Sequence, residues 1–471
     1  MNAFPLHTVK GLTLCLSLIT GLAVNASAGE TEIPKLFTQH CAQCHGDKGQ
    51  GGSAPPLVGA PLRQATDLGS IAKLIANGSP ATGMPGFRDI MSGADLFSLA
   101  MFIAEQQGLS TSLPSAPPSI PDGVVQSEVE SFRVERLAEV ENPYGIAVLP
   151  DGRILVTEAK IGALQIIESG ELLPEPVSGT PFGPPTRDFF KRRLMDVAVH
   201  PGNGWIYLTA TEGTDNENLA ERGRLILSRG HIHNGQWVDG ETLLSVPTHE
   251  GSGGRIAFDS AGRVYLGTVH APTDDDPIPS QDIASPHGKI LRLNEDGTVP
   301  PDNPYAGRED AFPYVWAYGL RAPLGLAVDD QGRLWESENG PRGGDELNLI
   351  KPGHNYGWPV ITWGHPYDET PTVSRVTQEG MEQPVVSWVP SPAVSGAVFY
   401  DADAFPGWKD SLFVCSLKGR TLYRIKFKGD RTALIENLLM DSDRLRDIAV
   451  GPDGYLYLIT DSGLVLRLVP A

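Results

Sequence analysis

Along most of the chain, apolar residues alternate with polar ones in short runs broken by Asp, Gly and Pro turns. One phrase recurs: an apolar strand, a tight turn, a second apolar strand. It runs through Gly145–Thr157 and returns at Asp196–Pro201 before Trp205–Thr209. It appears again at Arg255–Thr268, Gly325–Trp335 and Asp447–Thr460, with a weaker copy from Gly396–Tyr400 to Leu412–Val414. A period of two predicts half-buried strands. Six copies, roughly 50–70 residues apart, fit four-stranded blades of about 40–50 residues with insertions. The expectation is an all-β six-bladed propeller over residues 126–471. Similar hairpins also occur in β-sandwiches, but the count and regular return of the phrase favour the ring.

The pattern before that region is different. Leu96, Leu99, Ala100 and Ile103 recur at i, i+3, i+4 and i+7, which predicts an amphipathic helix over Gly93–Gln106. A shorter helical stretch is expected over Ser70–Asn77. Residues 29–108 therefore read as a small all-α domain, and the Pro- and Ser-rich residues 109–125 as a stiff linker. Residues 1–28 carry Lys10, an apolar run from Gly11 to Val24, and Ala26-Ser27-Ala28, the form of a cleaved secretory signal. Cys15 sits behind Leu14 inside that run and does not read as a lipid-attachment site. No later segment offers about 18 apolar residues in a row, so no stable membrane insertion is expected after cleavage, and the location expected is periplasmic.

A chain of 471 residues exceeds what one core usually supports, in keeping with two domains. Its net charge of −20 argues against nucleic acid or an anionic membrane as partner. Four cysteines are present, and loss of Cys15 with the signal leaves three, so no disulfide framework is expected.

Two of those cysteines define the first candidate site. Cys41-Ala42-Gln43-Cys44-His45 is Cys-x-x-Cys-His, the spacing that forms two thioethers to one haem and places the His beneath the iron. A dithiol redox pair would need neither that His nor an exported setting, and for a zinc site no second ligand pair lies nearby. A second axial ligand is expected at Met84, in the loop Gly83-Met84-Pro85-Gly86; Met91 and Met101 are the alternatives. The leading helix, the haem motif, the Met84 loop and the closing helix together resemble a small class I cytochrome c.

The second candidate site is a set of cations. In an acidic chain, Arg321, Lys418, Arg444 and Arg446 each lie near a strand-to-loop junction, in three different copies of the repeat. Arg444-Leu445-Arg446 alternates, so both side chains can share one face of a strand. Such a set would suit a multiply anionic ligand. No Gly-x-Gly-x-x-Gly follows a strand, so no nicotinamide or flavin fingerprint is present.

Several phrases carry a further resemblance. They are Trp316–Ala327, Leu334–Asn348, Asn355–Pro359, Gly288–Asn294, Pro304-Tyr305, Phe405–Trp408, Ser416–Lys418 and Arg444–Asp447. Through them residues 126–471 resemble the soluble PQQ-dependent aldose sugar dehydrogenases, which are six-bladed propellers. The resemblance implies that Arg321, Lys418, Arg444 and Arg446 hold the quinone, with Ser391 as a hydroxyl donor. It implies active-site Ca²⁺ on the carbonyls of Gly340 and Pro341, and a second Ca²⁺ on those of Glu346 and Tyr356. It implies His249 as the base that takes the C1 hydroxyl proton of a sugar.

Departures from that pattern border the substrate pocket. His249 stands two residues further from Arg255 than in the family, and Glu250 could share its role. Ala322 replaces the family's Asn, and Lys191 replaces a Gln. His270 and His287 are expected to be structural or rim residues. The reading is a quinohaemoprotein in which haem c, PQQ and Ca²⁺ carry electrons from an aldose to a respiratory acceptor, a cytochrome or an oxidase. The alternatives are a sorbosone-type aldehyde or other alcohol dehydrogenase, and a binding propeller whose haem only carries electrons. An eight-bladed alcohol dehydrogenase would need about two more blades.

Overall fold

A computed structural model describes residues 33–58, 68–91, 119–183, 192–213, 223–248, 253–271, 278–341, 343–364 and 375–471, together with Leu62, Leu96, Leu99, Ala100, Phe102 and Ile103. The expected signal and most of the expected linker lie outside these residues, as do Met101, Lys191, His249 and Glu250.

The N-terminal part is helical. Helix Ile33–His40 leads into the short helix Ala42–His45, and a third helix spans Leu68–Asn77. Their apolar faces close on Phe37, Ile71, Ile75, Phe87 and Met91. Leu96, Leu99, Ala100 and Ile103, the four residues that predicted the closing helix, are helical and buried in the same core. Among the described residues, no helix is long and apolar enough to cross a membrane.

The rest forms six antiparallel sheets. The first blade spans Pro143–Leu172, the second Arg192–Thr248, the third Ile256–Tyr318, the fourth Pro323–Trp388 and the fifth Val394–Leu438. The sixth is built from both ends of this region. Strands Leu445–Val450, Leu456–Thr460 and Leu464–Pro470 are joined by Ser131–Glu139, which pairs with the last strand from Phe132↔Pro470 to Glu139↔Leu464. Val124–Gln126 adds the outermost strand. This pairing ties the start of the propeller to its end and leaves no open edge in the ring.

The first strand of each blade lies innermost and touches the first strands of its two neighbours. Those strands approach so closely that two positions admit no side chain. A Cβ on Gly145 would meet Asp196 Oδ1 at 2.7 Å, and one on Gly396 would overlap Asp447 Oδ1. Blades three and six face each other across the ring, and Arg255, at the start of blade three, bridges the gap. Its Nη1 donates to Asp196 Oδ1 at 3.0 Å in blade two and to Asp447 Oδ2 at 2.7 Å in blade six. Its Nη2 donates to the Tyr144 carbonyl at 3.2 Å in blade one. All three charged side chains are buried.

Candidate functional site

In the helical domain, Cys44 is exposed and Cys41 half-buried. His45 Nδ1 lies 2.7 Å from the Pro55 carbonyl. A carbonyl only accepts, so Nδ1 carries the hydrogen and Nε2 keeps its lone pair, the form an iron needs. The Met84 loop is held by a two-way bridge with Ser79: Ser79 N donates to Met84 O at 2.9 Å, and Met84 N to Ser79 O at 3.2 Å. Met84 is half-buried against the core, whereas Met91 is fully part of it. The haem donor set implied by the motif is thus present with the correct imidazole tautomer. The same apolar cluster takes in Val376 and Val389 of the propeller.

The propeller residues singled out from the sequence lie at one rim. In an antiparallel blade, the start of the first strand and the end of the second share an edge. Arg321 precedes the first strand of blade four, and Gly340 and Pro341 follow its second. Ser391 precedes the first strand of blade five and Lys418 follows its second; Arg444 and Arg446 open the first strand of blade six.

Hydrogen bonds join this rim. Arg321 Nη1 donates to the Asn339 carbonyl at 2.7 Å and, at a long 3.4 Å, to that of Gly340. Asp345 accepts from Gly340 N at 3.0 Å, from Ser391 Oγ at 2.7 Å and from Val394 N at 2.9 Å. Burial pushes its carboxyl up to about 6. Glu338, pushed by burial to about 7, receives the backbone N–H of Arg321 at 2.6 Å and of Ala322 at 3.2 Å. Leu417 N donates to Ala393 O at 2.8 Å and Gly419 N to Pro392 O at 2.7 Å, which brings Lys418 beside the Ser391 segment. Lys418 is half-buried and has no ion-pair partner among the described residues.

The expected alternation of Arg444 and Arg446 is observed, since both reach Asp461, at 2.6 and 2.7 Å. Arg446 also lies 5.4 Å from the Tyr144 ring centroid. Arg193, in the first strand of blade two, is close enough to Arg446 that burial and that neighbouring charge both lower its pKa. Basic side chains from blades two, four, five and six thus gather at this rim, two of them paired with Asp461. Among the described residues the Gly340 carbonyl is engaged only by that long bond and keeps a lone pair for a hard cation, so the residues fit a quinone–calcium pair.

His249 lies outside the described residues. The Glu346 carboxylate accepts from Asn348 at 3.2 Å, and the buried Tyr356 hydroxyl donates to the Leu349 carbonyl at 2.7 Å. His287 is buried, and its carbonyl accepts from Lys289 Nζ at 2.6 Å, in keeping with a structural place. His270 stands at the rim itself, its backbone N–H 2.8 Å from the Arg321 carbonyl and its ring 5.8 Å from that of Trp358. Asp345 and Glu338, the acids that organise the cluster, were not singled out from the sequence. Each reads there as one more charge in an acidic chain.

A basic rim on a six-bladed ring, joined to a helical domain with a Cys-x-x-Cys-His motif, defines a propeller oxidoreductase with a c-type cytochrome. The sequence profile described as Glucose / Sorbosone dehydrogenase matches residues 140–467, and the chain belongs to that family. A profile described as Cytochrome C oxidase, cbb3-type, subunit III matches residues 28–103. Aldose sugar dehydrogenase YliI of Escherichia coli K12 is 33% identical over 377 residues, 77% of this chain and 96% of that protein. The PQQ-bound structure of an aldose sugar dehydrogenase from Streptomyces coelicolor is similar with a TM-score of 0.55 at 27% identity, covering 75% of this chain and 99% of that one. Cytochrome c55X of Paracoccus denitrificans is 31% identical over 99 residues, 20% of this chain and 95% of that cytochrome.

Proposed function

We propose that this protein oxidises aldose sugars at C1 with PQQ and Ca²⁺ and delivers the electrons to its own covalently attached haem. The observation that carries the reading is the joining of Arg321, Gly340 and Ser391, from three separate segments, into one cluster through Asp345. When bound, PQQ supplies an electrophilic quinone that accepts hydride from the sugar. Arg321, Lys418, Arg444 and Arg446 hold its carboxylates and carbonyl oxygens, and Ser391 adds a hydroxyl donor. Gly340 and Pro341 offer carbonyl oxygens to the active-site Ca²⁺, and Glu346 and Tyr356 to a second. His249 takes the C1 hydroxyl proton, so that the hemiacetal leaves as a lactone.

On this reading residues 1–28 are a signal that sends the chain to the periplasm, 29–108 the cytochrome, 109–125 the linker and 126–471 the dehydrogenase. Cys41 and Cys44 hold the haem, and His45 and Met84 ligate its iron. Electrons then pass to a respiratory cytochrome or oxidase. The test is to load purified protein with PQQ and Ca²⁺ and follow haem absorption on adding a panel of aldoses. Haem reduction that needs both sugar and PQQ supports the reading. Reduction without PQQ removes the cofactor assignment. Reduction by aldehydes or other alcohols in place of aldoses changes the substrate class.

A further inference from the structure

His270 follows the second strand of blade three and stands at the same rim as Arg321. Its surroundings determine which ring nitrogen carries the hydrogen. Ser280 Oγ lies 2.8 Å from the Trp358 carbonyl, and a carbonyl only accepts, so the single hydroxyl hydrogen of Ser280 points there. Ser280 Oγ is then an acceptor towards His270 Nδ1, 3.1 Å away. His270 is therefore the Nδ1–H tautomer, with a lone pair on Nε2. That nitrogen makes no hydrogen bond among the described residues and is not sealed from solvent.

The arrangement is rigidly supported. Ser280 is buried, and its own carbonyl accepts from the buried Lys289 Nζ at 3.0 Å. Lys289 Nζ also binds the carbonyls of Pro279 at 2.9 Å and His287 at 2.6 Å, pinning the whole loop. The groups facing His270 from these elements, Arg321, Lys289 and His287, all disfavour a second proton on its ring.

We propose that His270 Nε2 is a fixed hydrogen-bond acceptor for a hydroxyl of the bound aldose, and so a specificity-determining contact of the sugar site. The inference rests on the aldose reading above. Burial first, then the neighbouring charges, lower the imidazole to about 4. The acceptor accordingly persists in weakly acidic solution, where an ordinary histidine becomes a donor at both nitrogens.

The test compares wild type, His270→Phe and His270→Gln, each as full-length protein loaded with PQQ and Ca²⁺. Loss of the acceptor in His270→Phe should raise KM for glucose about tenfold while kcat changes less, the scale of one hydrogen bond. His270→Gln, whose amide oxygen can accept, should recover most of that loss. PQQ affinity, read from quinone absorbance without turnover, should be the same in all three. Histidine-selective ¹⁵N NMR of wild type should show the Nδ1–H tautomer down to pH 5. An unchanged KM in His270→Phe, or a ring that protonates above pH 6, overturns the proposal. A wild type that binds no PQQ overturns the parent reading instead, and the tautomer measurement stands apart from it.

Discussion

Arg255 donates to Asp447 across the ring at 2.7 Å, joining blades that face each other rather than blades that are neighbours. Asp196 shares the same guanidinium at 3.0 Å. Replacing Arg255 by Leu would leave two carboxylates in a buried site without their cation. Loss of one partner of a buried pair costs about 3–5 kcal/mol. The Arg255→Leu variant should therefore unfold at much lower urea concentration, as read by circular dichroism. The cytochrome should keep its own haem spectrum through the transition, because the clamp lies wholly within the propeller. An unchanged midpoint would show that the clamp adds nothing to the stability of the propeller.

Asp345 makes a sharper case, because everything it touches is a donor: Gly340 N, Ser391 Oγ and Val394 N. Asn at this position keeps the shape but turns an NH₂ group towards at least one of those donors. The Asp345→Asn variant should bind PQQ and Ca²⁺ some 10–100-fold more weakly, the usual cost of disturbing a group that orients ligands. Quinone absorbance in a calcium titration measures this directly. Wild-type affinity would mean that the Gly340 and Ser391 segments are held in place without it.

The ring was readable from local pattern, since alternation and turn phrases repeat once per blade and each strand pairs mainly with the next. The alternation of Arg444 and Arg446 was readable for the same reason, and Asp461, which collects both, lies just one strand further on. Asp345 and Glu338 were not readable as organisers. Asp345 gains the Ser391 and Val394 donors only when blades four and five pack, Glu338 gains the Arg321 and Ala322 N–H groups only when two strands of blade four pair, and a carboxylate destined for burial looks like any surface acid in sequence. His270 was placed at the rim but without a function, because its tautomer depends on Ser280 and Trp358, which come from two different loops.

Among the described residues, two methionines follow the haem motif in the helical domain, with different expected roles. Met84 sits half-buried in a bridged loop, and Met91 belongs to the core. Met84→Ala should remove the thioether ligand, lower the haem reduction potential and change the low-spin spectrum, with little loss of stability. Met91→Ala should do the reverse, leaving the spectrum intact and destabilising the helical domain by about 2–5 kcal/mol. Spectroelectrochemistry and thermal melts of the two variants distinguish the assignments; exchanged phenotypes would make Met91 the ligand.

His270 also predicts how stability depends on pH. A free imidazole titrates near 6.5, and burial with the nearby Arg321 brings this one down to about 4. Between those values the unfolded chain holds more protons than the folded one, so folding stability falls as pH drops from about 6.5 towards 4. The contribution is fully present above 6.5 and lost below 4. It is on the order of 3 kcal/mol at most, at ~1.4 kcal/mol per pH unit. Urea midpoints of wild type and His270→Gln at pH 7 and pH 5 isolate it, and the variant should lose less between the two. Parallel losses would place the wild-type imidazole at its ordinary value.

Val376 and Val389 of the propeller pack against the cytochrome core, whose partly buried members include Cys41 and Met84. Val389 is two residues from Ser391, which is bonded to Asp345 in the quinone cluster. A short stretch of chain thus runs from the proposed site of oxidation to the haem domain. A charge at Val389 would have to be buried against apolar surface or force the two surfaces apart. Val389→Asp should therefore slow sugar-driven reduction of the haem while leaving the rate with a soluble dye acceptor, which takes electrons at the propeller, near wild type. Stopped-flow absorbance at the haem and a steady-state dye assay on the same preparation give the two rates. Equal slowing of both would mean that the substitution damaged the propeller, and no slowing of either would mean that electrons reach the haem by a route that does not use this contact.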